Sequence, residues 1–185
     1  KIIFEDIPQV YTIEQPQVLL KVFRSITTNP GMLMDYHHLS MDLGINEKTL
    51  SNYVHYLEMA FLIKKLYNYS KNQLTSERKL KKVYPLASSF CQAEMSKIIE
   101  ALVVTQLPGS FFWRRTHEVD YVLVEKDKVT PLEVKYSERI KDNKLKGIRT
   151  FMEEFKTKGV VLTKNLEKRE GKIQYLPVWK WLLQH

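Results

Sequence analysis

Asp120, Glu133 and Lys135 are the residues of this chain best placed to do chemistry. They lie in two short apolar runs, Glu118-Val-Asp-Tyr-Val-Leu-Val124 and Pro131-Leu-Glu-Val-Lys-Tyr136, joined by a polar stretch from Glu125 to Thr130. Both runs alternate as half-buried strands do. Residues two apart on a strand point to one face, so Glu133 and Lys135 project together, and a hairpin brings Asp120 alongside. Two carboxylates and an ammonium on one sheet face suit a divalent cation and a phosphate. Carboxylate oxygens bind Mg²⁺ or Mn²⁺, such an ion lowers the pKa of a bound water, and a lysine beside it balances charge growing on a phosphodiester. The pattern Asp…Glu-x-Lys therefore points to cleavage of a nucleic acid. The same residues also fit a plain strand-end aspartate and an exposed Glu–Lys pair of little energetic value.

Glu100 is a fourth candidate. It stands within Ile98-Ile-Glu-Ala-Leu-Val-Val104, where an unpaired buried carboxylate is strongly disfavoured or titrates to neutral. It must face a metal, a lysine or a polar cleft. Arg114 and Arg115 close a strand that begins at Phe111; they are placed to grip phosphates or, equally, to end a solvated strand.

Two modules position these groups. In the first, from about residue 15 to 86, Val18, Leu19, Val22, Phe23 and Ile26 have helical spacing, and Asn29-Pro-Gly31 breaks the helix. Asp35 caps a second helix to Leu43. Asn46, after a Gly44 turn, caps a third that carries Leu50, Val54, Leu57 and Phe61. Short helix, glycine turn and longer helix form a helix-turn-helix layout. Strand-like runs at Phe61–Ile63, Leu66–Tyr69 and Val83–Leu86 add a hairpin, which makes it winged. The third helix presents Lys48, Ser51, Asn52 and His55 between its apolar positions, as a helix entering a DNA groove does. From Lys64 to Lys82 there are seven basic residues against one acid, Glu77. Lys71, Arg78 and Lys79 stand out there as phosphate contacts.

The second module, residues 87–185, reads as a helix over Ser89–Gln106, then strands at Phe111–Trp113, Val119–Val124 and Val129–Val134. A basic amphipathic helix over Asp142–Lys156 follows, then strands at Gly159–Thr163 and Ile173–Leu176 and a short helix after Pro177. This order describes a mixed α/β sheet with helices on its faces.

Composition agrees with a folded chain that meets polyanions. Of 185 residues, 44% are hydrophobic, and 29 basic against 21 acidic side chains give a formal charge of +8. One cysteine, Cys91, excludes an internal disulfide and a cysteine-based zinc site and fits a reducing cytoplasm. No run approaches the length of a membrane span. Lys1-Ile-Ile-Phe4 reads as a strand, and the start at Lys1 reads as a cut from a longer chain.

The strings Glu118-Val-Asp120 and Pro131-Leu-Glu-Val-Lys-Tyr-Ser137 resemble the PD-(D/E)XK restriction-endonuclease-like core. More narrowly, they resemble the C-terminal domain of unknown function that follows the ATPase module in archaeal-type AAA+ ATPases. Ile2-Ile-Phe-Glu-Asp-Ile-Pro8 is similar to that family's linker, here residues 1–14. Leu39-Ser-Met-Asp-Leu-Gly-Ile45 and Tyr56-Leu-Glu-Met-Ala-Phe-Leu-Ile63 are similar to its winged helix, here 15–86. Ser96-Lys-Ile-Ile-Glu-Ala-Leu-Val103 is similar to the helix that supplies its first acidic residue. The resemblance implies a nuclease-like domain at 87–185. Asp120, Glu133 and Glu100 would then be ligands of Mg²⁺ or Mn²⁺, and Lys135 would stand beside the attacking water. It also implies DNA and an upstream ATPase module as partners. No Gly-x4-Gly-Lys-Ser/Thr occurs in the chain, so ATP would bind only in that upstream module. The alternative is a non-catalytic DNA- or protein-binding regulatory module.

Overall fold

The computed structural model describes residues 1–70, 80–126 and 128–184. The N-terminus is not the expected strand. Ile2–Asp6 forms a π-type turn that runs into helix α1 (Ile7–Val10). Ile3 and Ile7, four residues apart, are both buried in the first core, so helical spacing wins over the local apolar run. Helix α2 (Pro16–Thr28) opens on a proline and buries Val18, Leu19, Val22 and Ile26.

Gly31 turns the chain with φ 79°, and a Cβ there would stand 2.8 Å from the Tyr84 hydroxyl. A short strand not foreseen in the sequence, β1 (Met32–Leu33), follows. Helix α3 (Tyr36–Leu43) is capped by Asp35, whose side chain accepts from the His38 N–H. Helix α4 (Glu47–Met59) is capped by Asn46, which accepts from the Thr49 N–H. Phe61, expected on the apolar side of this helix, lies beyond its end at φ 56° and is 78% exposed. Strands β2 (Ile63–Asn68) and β3 (Lys81–Pro85) then pair antiparallel.

In the second half the expected long helix is shortened. A 3₁₀ turn at Ser88–Phe90 precedes α5 (Met95–Gln106). Then come β4 (Phe111–Arg114), β5 (Glu118–Val119), β6 (Tyr121–Glu125) and β7 (Lys128–Lys135). Helix α6 (Lys146–Phe155), β8 (Gly159–Thr163), β9 (Lys168–Glu170), β10 (Ile173–Pro177) and α7 (Val178–Leu182) complete the chain. Strand β9 was not expected. Pro131 is not the first residue of its strand, but the parallel ladder from β7 to β8 begins only after it, at Leu132.

The chain is thus mixed α/β, with two five-stranded mixed sheets ordered β1-β3-β2-β4-β5 and β6-β7-β8-β10-β9 among the described residues. The first sheet joins the two halves: β2 pairs in parallel with β4, placing Tyr67 opposite Phe111. Asn68 strengthens the join, because its side-chain amide donates to the Arg114 carbonyl and accepts from the Arg114 N–H. Alternation sorts the hairpin's two faces. Ile63 and Val83 face the first core, while Leu66 and Tyr84 lie in the core of the second half with Ala101, Val104 and Phe112.

Candidate functional site

Asp120 sits where the chain changes sheets. Val119 pairs with Trp113 in the first sheet and Tyr121 with Leu132 in the second. The residue between them leaves the ladder, so its polar groups turn to β7. Its N–H donates to the Glu133 carboxylate at 3.3 Å, and its own carboxylate accepts from the Val134 N–H at 2.9 Å. Gly147 of α6 holds this junction close, since a Cβ there would lie 1.8 Å from the Glu118 carbonyl oxygen. Lys135, two residues after Glu133 on the same face, places its ammonium 2.5 Å from Glu133 and 3.5 Å from Asp120. Glu100 reaches the group from α5. It accepts from the Tyr84 hydroxyl at 2.7 Å and pairs with Lys97 at 2.9 Å. The four residues singled out by type and spacing share one buried region.

The residue that organises them is Lys82 of β3. Its side chain is 3% exposed, and its ammonium stands 2.7 Å from Glu118, 3.7 Å from Glu100 and 3.8 Å from Asp120. Tyr84 and Phe112 rings flank it, each centroid 5.8 Å away. Burial alone would push the Lys82 pKa down. Tyr84, Asp120, Glu100 and Glu118 outweigh that and hold it well above its ordinary value, so it stays charged. Burial likewise works to raise the Asp120 carboxyl, but Lys135 and Lys82 keep it below the usual carboxylate range. Glu133 goes the other way: burial and the Asp120 charge lift it to about 8. Two carboxyl groups in one dry space separate in this manner because both cannot ionise freely.

Lys82, Glu118, Lys97 and Tyr84 were missed from sequence. In sequence Lys82 merely closes the basic run that begins at Lys64. Its signal was its position two residues before Tyr84 on a strand, which puts both on one face. The other lysines of the hairpin are also turned to structural work. Lys64 donates to the Val104 and Leu107 carbonyls, satisfying the C-terminal end of α5, and Lys65 pairs with Glu58.

As donors, Glu100, Asp120 and Glu133 suit a hard divalent cation, but as arranged they do not fit one. Each is already satisfied by ammonium, hydroxyl or backbone N–H groups, and the Lys82 ammonium fills the space between Glu100, Glu118 and Asp120. Among the described residues no three His, Cys, Asp or Glu side chains form a group able to hold a metal ion.

The remaining candidates fall elsewhere. Lys48, Ser51, Asn52 and His55 all lie on the exposed side of α4, opposite buried Leu50, Tyr53, Val54 and Leu57. Arg114 pairs with Glu118, and Arg115 with Glu154 on α6. Lys71, Arg78 and Lys79 lie outside the described residues. No helix among the described residues is long and apolar enough to cross a membrane.

Fold and site define a two-part α/β protein whose halves share a sheet and a buried ion network. The chain belongs to the family described as domain of unknown function DUF8612, whose model matches residues 1–96. Residues 96–181 match a second such family, DUF4143. No curated protein and no solved structure matches the chain.

Proposed function

We propose that this chain is a non-catalytic, DNA-docking region of an AAA+-type ATPase, in which a PD-(D/E)XK-like sheet serves as scaffold. The observation that carries this reading is the Lys82 ammonium, seated among carboxylates where a catalytic cation would be needed. A fixed internal cation neutralises the carboxylates without metal and ties the hairpin of the first half to the sheet of the second. Folds of this kind are commonly reused without their chemistry.

The DNA part rests on the first half. The succession α2, β1, α3, α4 and the β2–β3 hairpin supports reading this half as a winged helix-turn-helix. The α4 residues Lys48, Ser51, Asn52 and His55 are exposed side by side, as groove or phosphate contacts require. The parent ATPase is supported by the second family, since DUF4143 is typically associated with C-terminal regions of AAA-type ATPases.

A second reading, metal-dependent phosphodiester hydrolysis, is favoured by the close approach of Lys135 to Asp120 and Glu133. One assay separates the two. Labelled duplex DNA is incubated with the protein with and without Mg²⁺ or Mn²⁺, and both binding and cleavage are followed. The docking reading expects salt-sensitive binding, weakened about tenfold by Lys48→Ala with Asn52→Ala, the loss of ~1–3 kcal/mol typical of a base contact, and no cleavage. Metal-dependent cleavage that disappears in Asp120→Ala overturns it in favour of hydrolysis.

A further inference from the structure

A second basic surface lies at the end of the sheet remote from the carboxylates. A cleft of about 470 Å³ is lined by Lys128, Lys156, Lys158 and Lys172, with Thr130 and Thr157 between them. Its residues come from the starts of three adjacent parallel strands. Lys128 opens β7, Lys156 and Lys158 immediately precede β8, and Lys172 immediately precedes β10. The strand order β7-β8-β10 makes these starts neighbours, about 4.8 Å apart per strand.

Backbone contacts hold the row in place. The Thr157 hydroxyl donates to the Val129 carbonyl at 2.6 Å, and the Gly159 N–H donates to the Lys172 carbonyl at 3.0 Å. All four lysines are exposed, and none has an acid within ion-pair distance among the described residues. Among the described residues, acids near the row by position include Glu125, opposite Lys128 across the hairpin, Glu153 on the last turn of α6, and Glu170, two residues before Lys172. The C-terminal end of α6 points here too. It carries about half a negative charge, against four ammonium groups, so the cleft stays strongly positive.

We infer that this cleft is a contact surface for the phosphate backbone of a nucleic acid. The inference rests on the DNA-docking reading and extends it into the second half of the chain. Four ammonium groups without acidic partners among the described residues, around a concave floor with threonine hydroxyls, match a run of phosphates in charge and in hydrogen bonding. Tyr69, next to the end of β2, packs its ring 5.5 Å from Phe155, the residue before Lys156. The cleft therefore adjoins the end of β2 from which the chain crosses to β3, in the hairpin that the first half would bring to DNA. It lies ~23 Å from the carboxylate network, the span of the seven residue-to-residue steps from Lys128 to Lys135 along β7, so it serves docking independently of any reaction there.

The test is fluorescence anisotropy of a labelled duplex over a salt series, with wild type, the triple variant Lys156→Ala, Lys158→Ala, Lys172→Ala, and an α4 variant, Lys48→Ala with Asn52→Ala. Thermal melts confirm that each variant is folded. The inference expects the triple variant to lower the slope of log K against log salt by about 2–3 and the affinity at least about tenfold. A triple variant that binds with unchanged slope, while the α4 variant is weakened, overturns the cleft and leaves the docking reading standing. Wild type that binds no duplex at low salt overturns both. Binding to anionic vesicles but not to duplex overturns the assignment to nucleic acid.

Discussion

At one end of β7, Lys135 and Lys82 are packed among carboxylates, each with at least two acids within 3.8 Å. At the other end, Lys128, Lys156, Lys158 and Lys172 stand exposed around a cleft, with no ion pair among the described residues. Each of these lysines counts equally toward the formal charge of +8, yet the two groups do different work. The buried ammonium groups are held by the fold and hold it in turn. The exposed ones have no ion-pair partner among the described residues and are left for something outside. Net charge therefore overstates what the hairpin offers a polyanion, since Lys64, Lys65 and Lys82 are all turned inward.

The contrast can be broken most sharply at Lys82. Lys82→Met leaves Glu118, Glu100 and Asp120 without their shared cation, and loss of one member of a buried ion network costs about 3–5 kcal/mol. Urea denaturation should show a loss of that size. The same variant should be restabilised by millimolar Mn²⁺, read as a rise in melting temperature, whereas wild type should show no such rise. A wild type as responsive to the ion as the variant would mean that the ammonium does not occupy the cation's place.

Gly147→Ala should come next. The added methyl cannot fit beside the Glu118 carbonyl without moving α6 or β5, a strain of about 2–3 kcal/mol in the same denaturation assay. Because the shift displaces Glu118, the variant should also lose part of the response to Lys82 replacement in a double-mutant cycle.

Glu133 offers a pH test. Its carboxyl is raised in the folded protein to about 8 from an ordinary 4.5, so between those values the native state holds a proton that the unfolded chain has released. Its contribution to stability is complete below the unfolded pKa and is lost as pH rises through the folded one. The slope is at most about 1.4 kcal/mol per pH unit. Asp120, held low, acts oppositely and loses its contribution in acid. Melting temperature should fall between pH 5 and pH 8, and Glu133→Gln should flatten that fall. At the weak end, Arg115→Ala removes an exposed pair with Glu154 and should change stability by less than about 0.5 kcal/mol.

What sequence could show here was local periodicity and capping. Asp35 and Asn46 cap the helices they were expected to cap, and Tyr121–Glu125 pairs with Lys128–Lys135 in the hairpin the alternation implied, while Val119, expected in the same strand, pairs instead with Trp113 in the other sheet because the chain changes sheets at Asp120. Glu100, Asp120, Glu133 and Lys135 were found because a charge surrounded by apolar residues is conspicuous. Lys82 was not, because it closes a run of basic residues and its burial comes from α5 and β5, far along the chain. The strand at Met32–Leu33 was hidden for a related reason: two residues carry no periodicity, and only pairing with Val83 and Lys82 makes them a strand. The N-terminal turn failed through competition, since an apolar pair suits strand and helix alike until Ile7 settles the spacing.

The parallel pairing of Tyr67 with Phe111 has an implication for how the molecule comes apart. The two family matches meet at residue 96, yet Leu66 and Tyr84 from one side of that seam are core residues of the other. Severing the chain there would leave Lys82 without its acids and Glu100 without Lys82 and the Tyr84 hydroxyl, in two pieces neither of which closes its own interior. What looks like a tandem of two domains in sequence should melt in a single cooperative transition.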